Sequence, residues 1–503
     1  MLFIKRNKWI AAAVITGCVV HPFCQAQEAD DSAMLEAYRG YCESRRTFLA
    51  EHGNGPLPDT PITEYSEEKF EKIAYIEYLN FLQQYQAQKL LQQYSSLRSG
   101  KTVPSEARTI DWQRNSTGNT GVVATGKIVP FITIYGRGDG SVEEAAAIQL
   151  WKSASCGTVY FAVDQENFNT DAEHLQRSYE YAMLFADGLP DAEAMEKSCM
   201  IRNYSLLPLE KSNPLQPEKI AEMALVQKTF SNNTAELQKN LKSVRGIANA
   251  VELVLSERTM TALAGTAEAE EELTYFLAFY KDLIANGFPV GVRFLETLPG
   301  SNGICRTWII PNARVLSTEE IALLRQLSEN GGTVLITSET GTLNEWGFPR
   351  TDRDMEYLRG IGYGAVKRFH DKQEWYENQI GRGAIITVPV PDNADVSEKI
   401  ASCCSVLRTI VEEQLNRFRG VLVHPAPGVI TQTRNGEEEF WIFAVNAMEQ
   451  KEPGQTLGKV ECTWEMVQLD PVNGQEISKG FSFELKDSDF DCIRLKKAPP
   501  QEK

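Results

Sequence analysis

Apolar positions along this chain change their period several times, and those changes predict its elements. Trp9 to Val20 is a short continuous apolar run. Ala33 to Glu51 reads as an amphipathic helix, a Pro- and Thr-rich connection follows, and Ser66 opens a long helix with Phe70, Ile73, Leu79, Leu82, Leu90 and Leu97 near helical spacing. Tyr75, Tyr78, Phe81 and Tyr85 lie on the same helix and are expected in a core. Two strands then alternate with helices: Ile128 to Tyr135, Ser141 to Ala154, Thr158 to Asp164 and Asp171 to Phe185. That alternation implies a parallel α/β layer. Residues 205–249 form a polar connection with Pro208, Pro214 and Pro217 that closes on a helix.

A second α/β unit begins with the strand Val251 to Leu255. Its next helix keeps Leu273, Phe276, Leu277, Tyr280, Leu283 and Ile284 at 3.6-residue spacing and ends at Gly287, before a strand from Val290 to Leu295. Thr307 to Ile310 is an apolar strand that stops at Pro311-Asn312. Ser317 and Glu320 then have the spacing of a capping box, with Leu316 and Ile321 as its hydrophobic staple. The helix ends at Asn330-Gly331-Gly332, where positive φ costs little, and Thr333 to Thr337 is the next strand. Strand, helix, strand predicts parallel pairing. A strand from Ala384 to Val388 and a helix from Val396 to Phe418 complete the unit. From Gly420 the pattern turns to strands, with Asn435-Gly436 predicting a two-residue type I′ hairpin and Asn473-Gly474 a further turn, so residues 419–499 read as an antiparallel β-sandwich.

The run IIPNARVLSTEEIALLRQLSENGGTVLITSETGTLNEWG, from Ile309 to Gly347, resembles the trimerisation domain of family-42 glycoside hydrolases, the β-galactosidases. That domain is flavodoxin-like and related to class I glutamine amidotransferases. Gly381-Arg382-Gly383 and its strand resemble the family's closing run, and FWIFAVN, from Phe440 to Asn446, resembles a strand of its terminal sandwich. More weakly, AYRGYCESRRTFL through QQYSSLR and the stretch from Gly126 to Phe168 resemble the second half of the family's (β/α)8 barrel. The resemblance implies a fold of three parts: a partial barrel-like segment over 27–204, a flavodoxin-like doubly wound sheet over 250–418, and the sandwich. It also implies a homo-oligomer, a trimer in the family, and carbohydrate as ligand. The first four strand-helix units of the barrel have no counterpart here, which leaves room for a separate chain that supplies them.

Composition narrows the partners. At 503 residues with a net charge of −17 and no basic stripe, the chain is not expected to bind nucleic acid. Lys5, Arg6 and Lys8 before the first apolar run, and Cys24-Gln25-Ala26 after it, read as an export signal over residues 1–26. The mature chain is therefore expected in the periplasm or outside the cell, and Ile15-Thr16-Gly17-Cys18 also fits a lipobox with Cys18 as the lipidated residue. Of ten cysteines, the eight beyond that signal form no C-x-x-C pair. Cys462 and Cys492 are the pair expected to meet if any disulfide forms. No zinc or phosphate pattern is present, and Gly360 to Gly364 lacks the flanking strand and helix of a dinucleotide loop, so no cofactor is expected.

A retaining glycosidase needs two carboxyl groups about 5 to 5.5 Å apart, set at the carboxyl ends of barrel strands. In the family the acid follows the fourth strand, for which this chain has no equivalent. The family's nucleophile is a Glu at the end of the seventh strand, where FITIYGRGDG offers Tyr135, Arg137 and Asp139 but no Glu. Asp164 and Glu166, after the next strand, are the remaining candidate catalytic carboxylates, and Tyr135, Arg137 and Asp139 are candidate substrate contacts. Asp164 could equally order the loop before the helix at Asp171. Amidotransferase chemistry is not expected: the turn after TVLIT carries Ser338-Glu339, Ile336 stands where a nucleophile elbow wants glycine, and His370 is read as a solvated loop residue. The sequence thus supports either a glycoside hydrolase or a non-catalytic carbohydrate-binding or assembly subunit.

Overall fold

A computed structural model describes residues 28–98, 109–111, 131–136, 138, 140–154, 158–163, 172–185, 200–202, 217–241, 247–248, 251–264, 266–300, 307–370, 373–390, 396–415, 421–435, 439–447, 456–486 and 488–498. The expected export signal and lipobox lie outside them. The described residues begin with a helical hairpin, α1 (Glu28–Glu51) and α2 (Lys69–Arg98), whose aromatic residues pack as expected. Tyr38 and Phe81 meet edge to face at 5.1 Å, and Phe81 stacks on Tyr85 at 5.5 Å.

A small parallel layer follows: β1 (Thr109–Asp111), β2 (Phe131–Gly136), α3 (Val142–Ala154), β3 (Thr158–Val163), α4 (Ala172–Phe185) and β4 (Met200–Arg202). β2 pairs with β3 and β1 with β4, all parallel, and β4 lies beside β2. Closing a barrel takes about eight strands, and the described residues supply four. α5 (Pro217–Leu241) then packs on α4, and β5 (Ile247–Ala248) leads into the next unit.

That unit holds β6 (Val251–Leu255), α6 (Glu257–Ala262), α7 (Ala267–Ala285), β7 (Val290–Phe294), β8 (Thr307–Ile310), α8 (Thr318–Glu329), β9 (Thr333–Thr337), α9 (Asp354–Arg359), β10 (Val366–His370), β11 (Gln373–Ile380), β12 (Gly383–Val388) and α10 (Val396–Leu415). The sheet order is β10-β11-β12-β9-β8-β6-β7, so its five parallel strands run second, first, third, fourth, fifth, the flavodoxin-like order. The predicted capping box is present: Glu320 N donates to Ser317 Oγ at 3.2 Å, and Ser317 N donates to Glu320 Oε2 at 2.7 Å. Glycine is required at 383, because a Cβ there would meet the Gly332 carbonyl at 2.0 Å. The β10-β11 hairpin was not apparent in the pattern, and it places His370 at the end of a strand opposite Gln373 rather than in a loop.

Seven antiparallel strands finish the chain: the edge strand β5 joins β13 (Val421–Pro425), β14 (Val429–Asn435), β15 (Glu439–Asn446), β16 (Gly458–Leu469), β17 (Glu476–Leu485) and β18 (Phe490–Lys497). They make one hydrogen-bonded sheet that curls until β13 comes back beside β14. Asn435 opposes Phe440, so the first hairpin connection holds four residues instead of the two expected. The shift is even in number and leaves every side chain on its face. Cys462 and Cys492 are not bonded: both are free thiols. The register of β16 on β18 opposes Leu469 to Arg494, which sets Cys462 nine residues along from the level of Cys492, about 30 Å, far beyond disulfide reach.

Polar side chains bind these units together. Gln149 of α3 accepts from Val292 N of the edge strand β7 at 2.9 Å and donates to Tyr280 OH at 2.8 Å, covering an edge that would otherwise be bare. Arg434 of β14 donates to the Met183 and Leu184 carbonyls at the end of α4, where a cation suits the helix dipole. Glu77 of α2, with 1% of its surface exposed, accepts four hydrogen bonds: two from Arg45 at 2.9 Å, one from Tyr41 OH at 2.6 Å, and one from Trp346 Nε1 at 3.0 Å. Trp346 belongs to the loop after β9, so this one carboxylate ties the hairpin to the flavodoxin-like sheet. Replacing Glu77 with Ala would leave Tyr41 and Trp346 without their acceptor and is expected to cost about 3 to 5 kcal/mol in chemical denaturation.

Candidate functional site

β2 and β3 run parallel with Tyr135 opposite Ala162 and Gly136 opposite Val163, so their carboxyl ends stop side by side. Loops leaving that edge converge, which is why barrel enzymes place chemistry there. Tyr135 is thereby placed next to the end of β2. Arg137, Asp139, Asp164 and Glu166 follow these strand ends in sequence and lie outside the described residues.

What the structure does show is how the β2 loop is held. Glu144, in the first turn of α3 and 2% exposed, turns its carboxylate back into the loop. Oε1 accepts from Gly138 N at 2.6 Å; Oε2 accepts from Gly140 N at 2.9 Å and from Ser178 Oγ at 2.7 Å. Tyr181 of α4 donates to the Gly140 carbonyl at 3.1 Å. Gly140 has φ +62°, and a Cβ there would meet the His174 carbonyl at 2.9 Å, so only glycine fits. Two helices thus pin the residues on either side of Asp139. Ser141 Oγ accepts from Glu144 N at 3.1 Å, the first half of a capping box. The S-x-x-E spacing was the available signal for this residue.

The environment behind the site is titratable. Glu180 of α4, 3% exposed, packs toward the terminal sheet, and burial pushes its pKa from 4.5 to about 7, with the Gln176 amide donating to it at 3.1 Å and Asp489 adding repulsion. A carboxyl whose folded pKa lies above its unfolded one favours folding at low pH and loses that advantage as pH rises through the folded value. Stability is therefore expected to fall by at most about 3 kcal/mol between pH 4.5 and 7, and Glu180→Gln to remove that slope in urea titrations.

Other polar groups are in structural use. Ser338, at the turn after β9, accepts from Val390 N through its hydroxyl at 2.9 Å, and its carbonyl accepts from Arg359. Around Glu77 a partly exposed cluster gathers Arg45 over the Phe48 ring at 4.0 Å, His52 against Phe48 and Trp346, and Arg258 on Glu320 at 2.9 Å. Its carboxylates are engaged by these cations. Among the described residues no three His, Cys, Asp or Glu side chains are grouped to hold a metal ion, and no helix is long and apolar enough to cross a membrane.

Comparison with solved structures places the fold. Gan42B, a GH42 β-galactosidase from G. stearothermophilus, superposes over 99% of this chain and 82% of its own, with a TM-score of 0.59 at 13% identity. A β-galactosidase from Bacillus circulans sp. alkalophilus matches over the same shares, with a TM-score of 0.50 at 12% identity. No family model matches the sequence, and no curated protein matches it. The chain has the mixed α/β fold of the GH42 β-galactosidases, combining a mainly parallel sheet with an antiparallel, nearly closed one.

Glu144→Ala would strip the acceptor from two buried backbone donors and from Ser178. A loss of about 3 kcal/mol is expected by thermal and chemical unfolding, and Glu144→Gln, which keeps one acceptor oxygen, should recover part of it.

Proposed function

We propose that the protein is an exported, glycoside-hydrolase-like protein of carbohydrate metabolism that acts on β-linked glycans, galactosides first among them. The sugar would bind at the loops that follow β2 and β3. In this reading Asp164 and Glu166 are the carboxylates that face the glycosidic bond, and Tyr135, Arg137 and Asp139 are the sugar contacts. The observation that carries it is the clamped loop: β2 and β3 end together, and Glu144 fixes Gly138 and Gly140 around Asp139. Preorganised loops at such strand ends hold ligands without an ordering cost on binding. The fold of the two β-galactosidases supports the substrate class.

A second reading, a non-catalytic glycan-binding or assembly subunit, is favoured by one fact. The described carboxylate at this edge, Glu144, is buried and saturated with donors, so it is not an acid or a nucleophile. Both readings suit an oligomer. Tyr357 and Tyr363, whose rings lie 5.0 Å apart, are both exposed on α9 and its following loop, a surface that another copy could cover. The four-strand parallel layer would gain closure from a chain carrying further barrel strands.

The test is hydrolysis and binding of a panel of aryl β-glycosides by the mature protein, with Asp164→Asn and Glu166→Gln beside it. Turnover is expected on the β-galactoside and is expected to fall at least about a hundredfold in either variant. Binding without turnover, unchanged by either substitution, would establish the second reading. Neither binding nor turnover on any member of the panel would reject both.

A further inference from the structure

In the flavodoxin-like sheet the strand order reverses between β6 and β8, since β7 was added on one side of β6 and β8 on the other. Open α/β sheets take their ligands in the crevice outside the carboxyl ends of the strands at that reversal. Here that place holds a cavity, lined by Ser256, Glu272, Tyr275, Phe276, Asn312 and Ala313 among others, with about 10 Å³ open to the centre of a water-sized sphere. That is room for one water or one small ion.

The walls present acceptors. Glu272 comes from α7, is 4% exposed, and its buried Oε1 accepts no hydrogen bond; the nearest cation, Arg314 Nε, stands 4.0 Å from it. Asn312 Oδ1, at the end of β8, is also buried without a hydrogen bond. Ser256 is spent, its hydroxyl accepting from Thr259 N at 3.1 Å. Burial, with Glu339 and Glu271 nearby, holds the Glu272 carboxyl well above the usual range, against the opposing pull of Arg314 and Asn312. Two buried oxygens without a hydrogen bond in a one-ion space call for positive charge beside them, and a cation that supplies it takes the place of the proton that burial favours on Glu272.

We propose that this cavity is a site for one small monovalent cation, such as sodium, potassium or ammonium, bound through Glu272 Oε1 and Asn312 Oδ1. A divalent ion is disfavoured by the donor set, one carboxylate and one amide, and among the described residues no three His, Cys, Asp or Glu side chains are grouped there. The site belongs to the flavodoxin-like sheet and is independent of sugar binding at β2 and β3.

Thermal unfolding of the full chain in sodium, potassium, ammonium and tetramethylammonium chloride at one ionic strength tests it. The small cations should raise the Tm by about 2 °C or more over tetramethylammonium, which is too large for the cavity. Glu272→Gln keeps the shape, removes the charge and should abolish the difference, and Asn312→Ala should reduce it. Equal Tm values for the wild-type protein in all four salts, as a lone water would give, overturn the proposal, as does a difference that survives in Glu272→Gln.

Discussion

Everything near the candidate site depends on one buried carboxylate that does no chemistry. Glu144 lies out of water, where an unpaired charge would be costly, and it is tolerable there because two backbone N–H groups and the Ser178 hydroxyl surround it. Those same bonds fix the chain at Gly138 and Gly140 at the mouth of β2. The energetic demand of burying Glu144 and the positional demand of the loop are met by one set of contacts. Tyr181 and the glycine at 140 add to this, since a larger residue would strike the backbone of α4.

Further from the site the same device recurs. Glu77 satisfies its buried charge with donors from two units, Gln149 uses both ends of its amide to join α3 to β7, and Arg434 closes the end of α4 from the terminal sheet. The main core is likewise shared: Ile148, Tyr181, Tyr280, Val292 and Phe443, from three units, pack in one cluster. Parts of the chain that look separable in sequence are thus joined by apolar packing and by polar groups that each need a partner across a boundary. A four-strand parallel layer with both edges open would be a poor independent fold, and its helices gain their burial from these neighbours.

Much of this architecture is legible in the residues. Ser317, Glu320 and the glycines after α8 mark a helix at both ends, and the strands at Thr307 and Thr333 fall where the β-branched and apolar runs place them. The resemblance of the stretch from Ile309 to Gly347 to family-42 glycoside hydrolases is matched by the fold. The β10-β11 hairpin was hidden because Val366-Lys-Arg-Phe-His carries charge within the strand; its cations pair across the hairpin, Lys367 with Glu374 at 2.6 Å and Arg368 with Glu377 at 3.2 Å. Glu77 and Glu144 look like solvated helix residues because their partners lie elsewhere: Trp346 is far along the chain, and the loop glycines carry no side chain to suggest a contact. The cysteine pair was misread for a related reason, since proximity in a sheet depends on register, and register is set by strands whose pairing the sequence does not print.

The claim that the loops after β2 and β3 hold the sugar is tested most directly by a crystal structure of the protein soaked with a β-galactoside. The sugar ring is expected at the carboxyl ends of those two strands, within hydrogen-bond distance of Tyr135, Arg137 or Asp139 and with Asp164 or Glu166 facing its anomeric carbon. A sugar bound elsewhere, with those strand ends filled by ordered solvent, would contradict it.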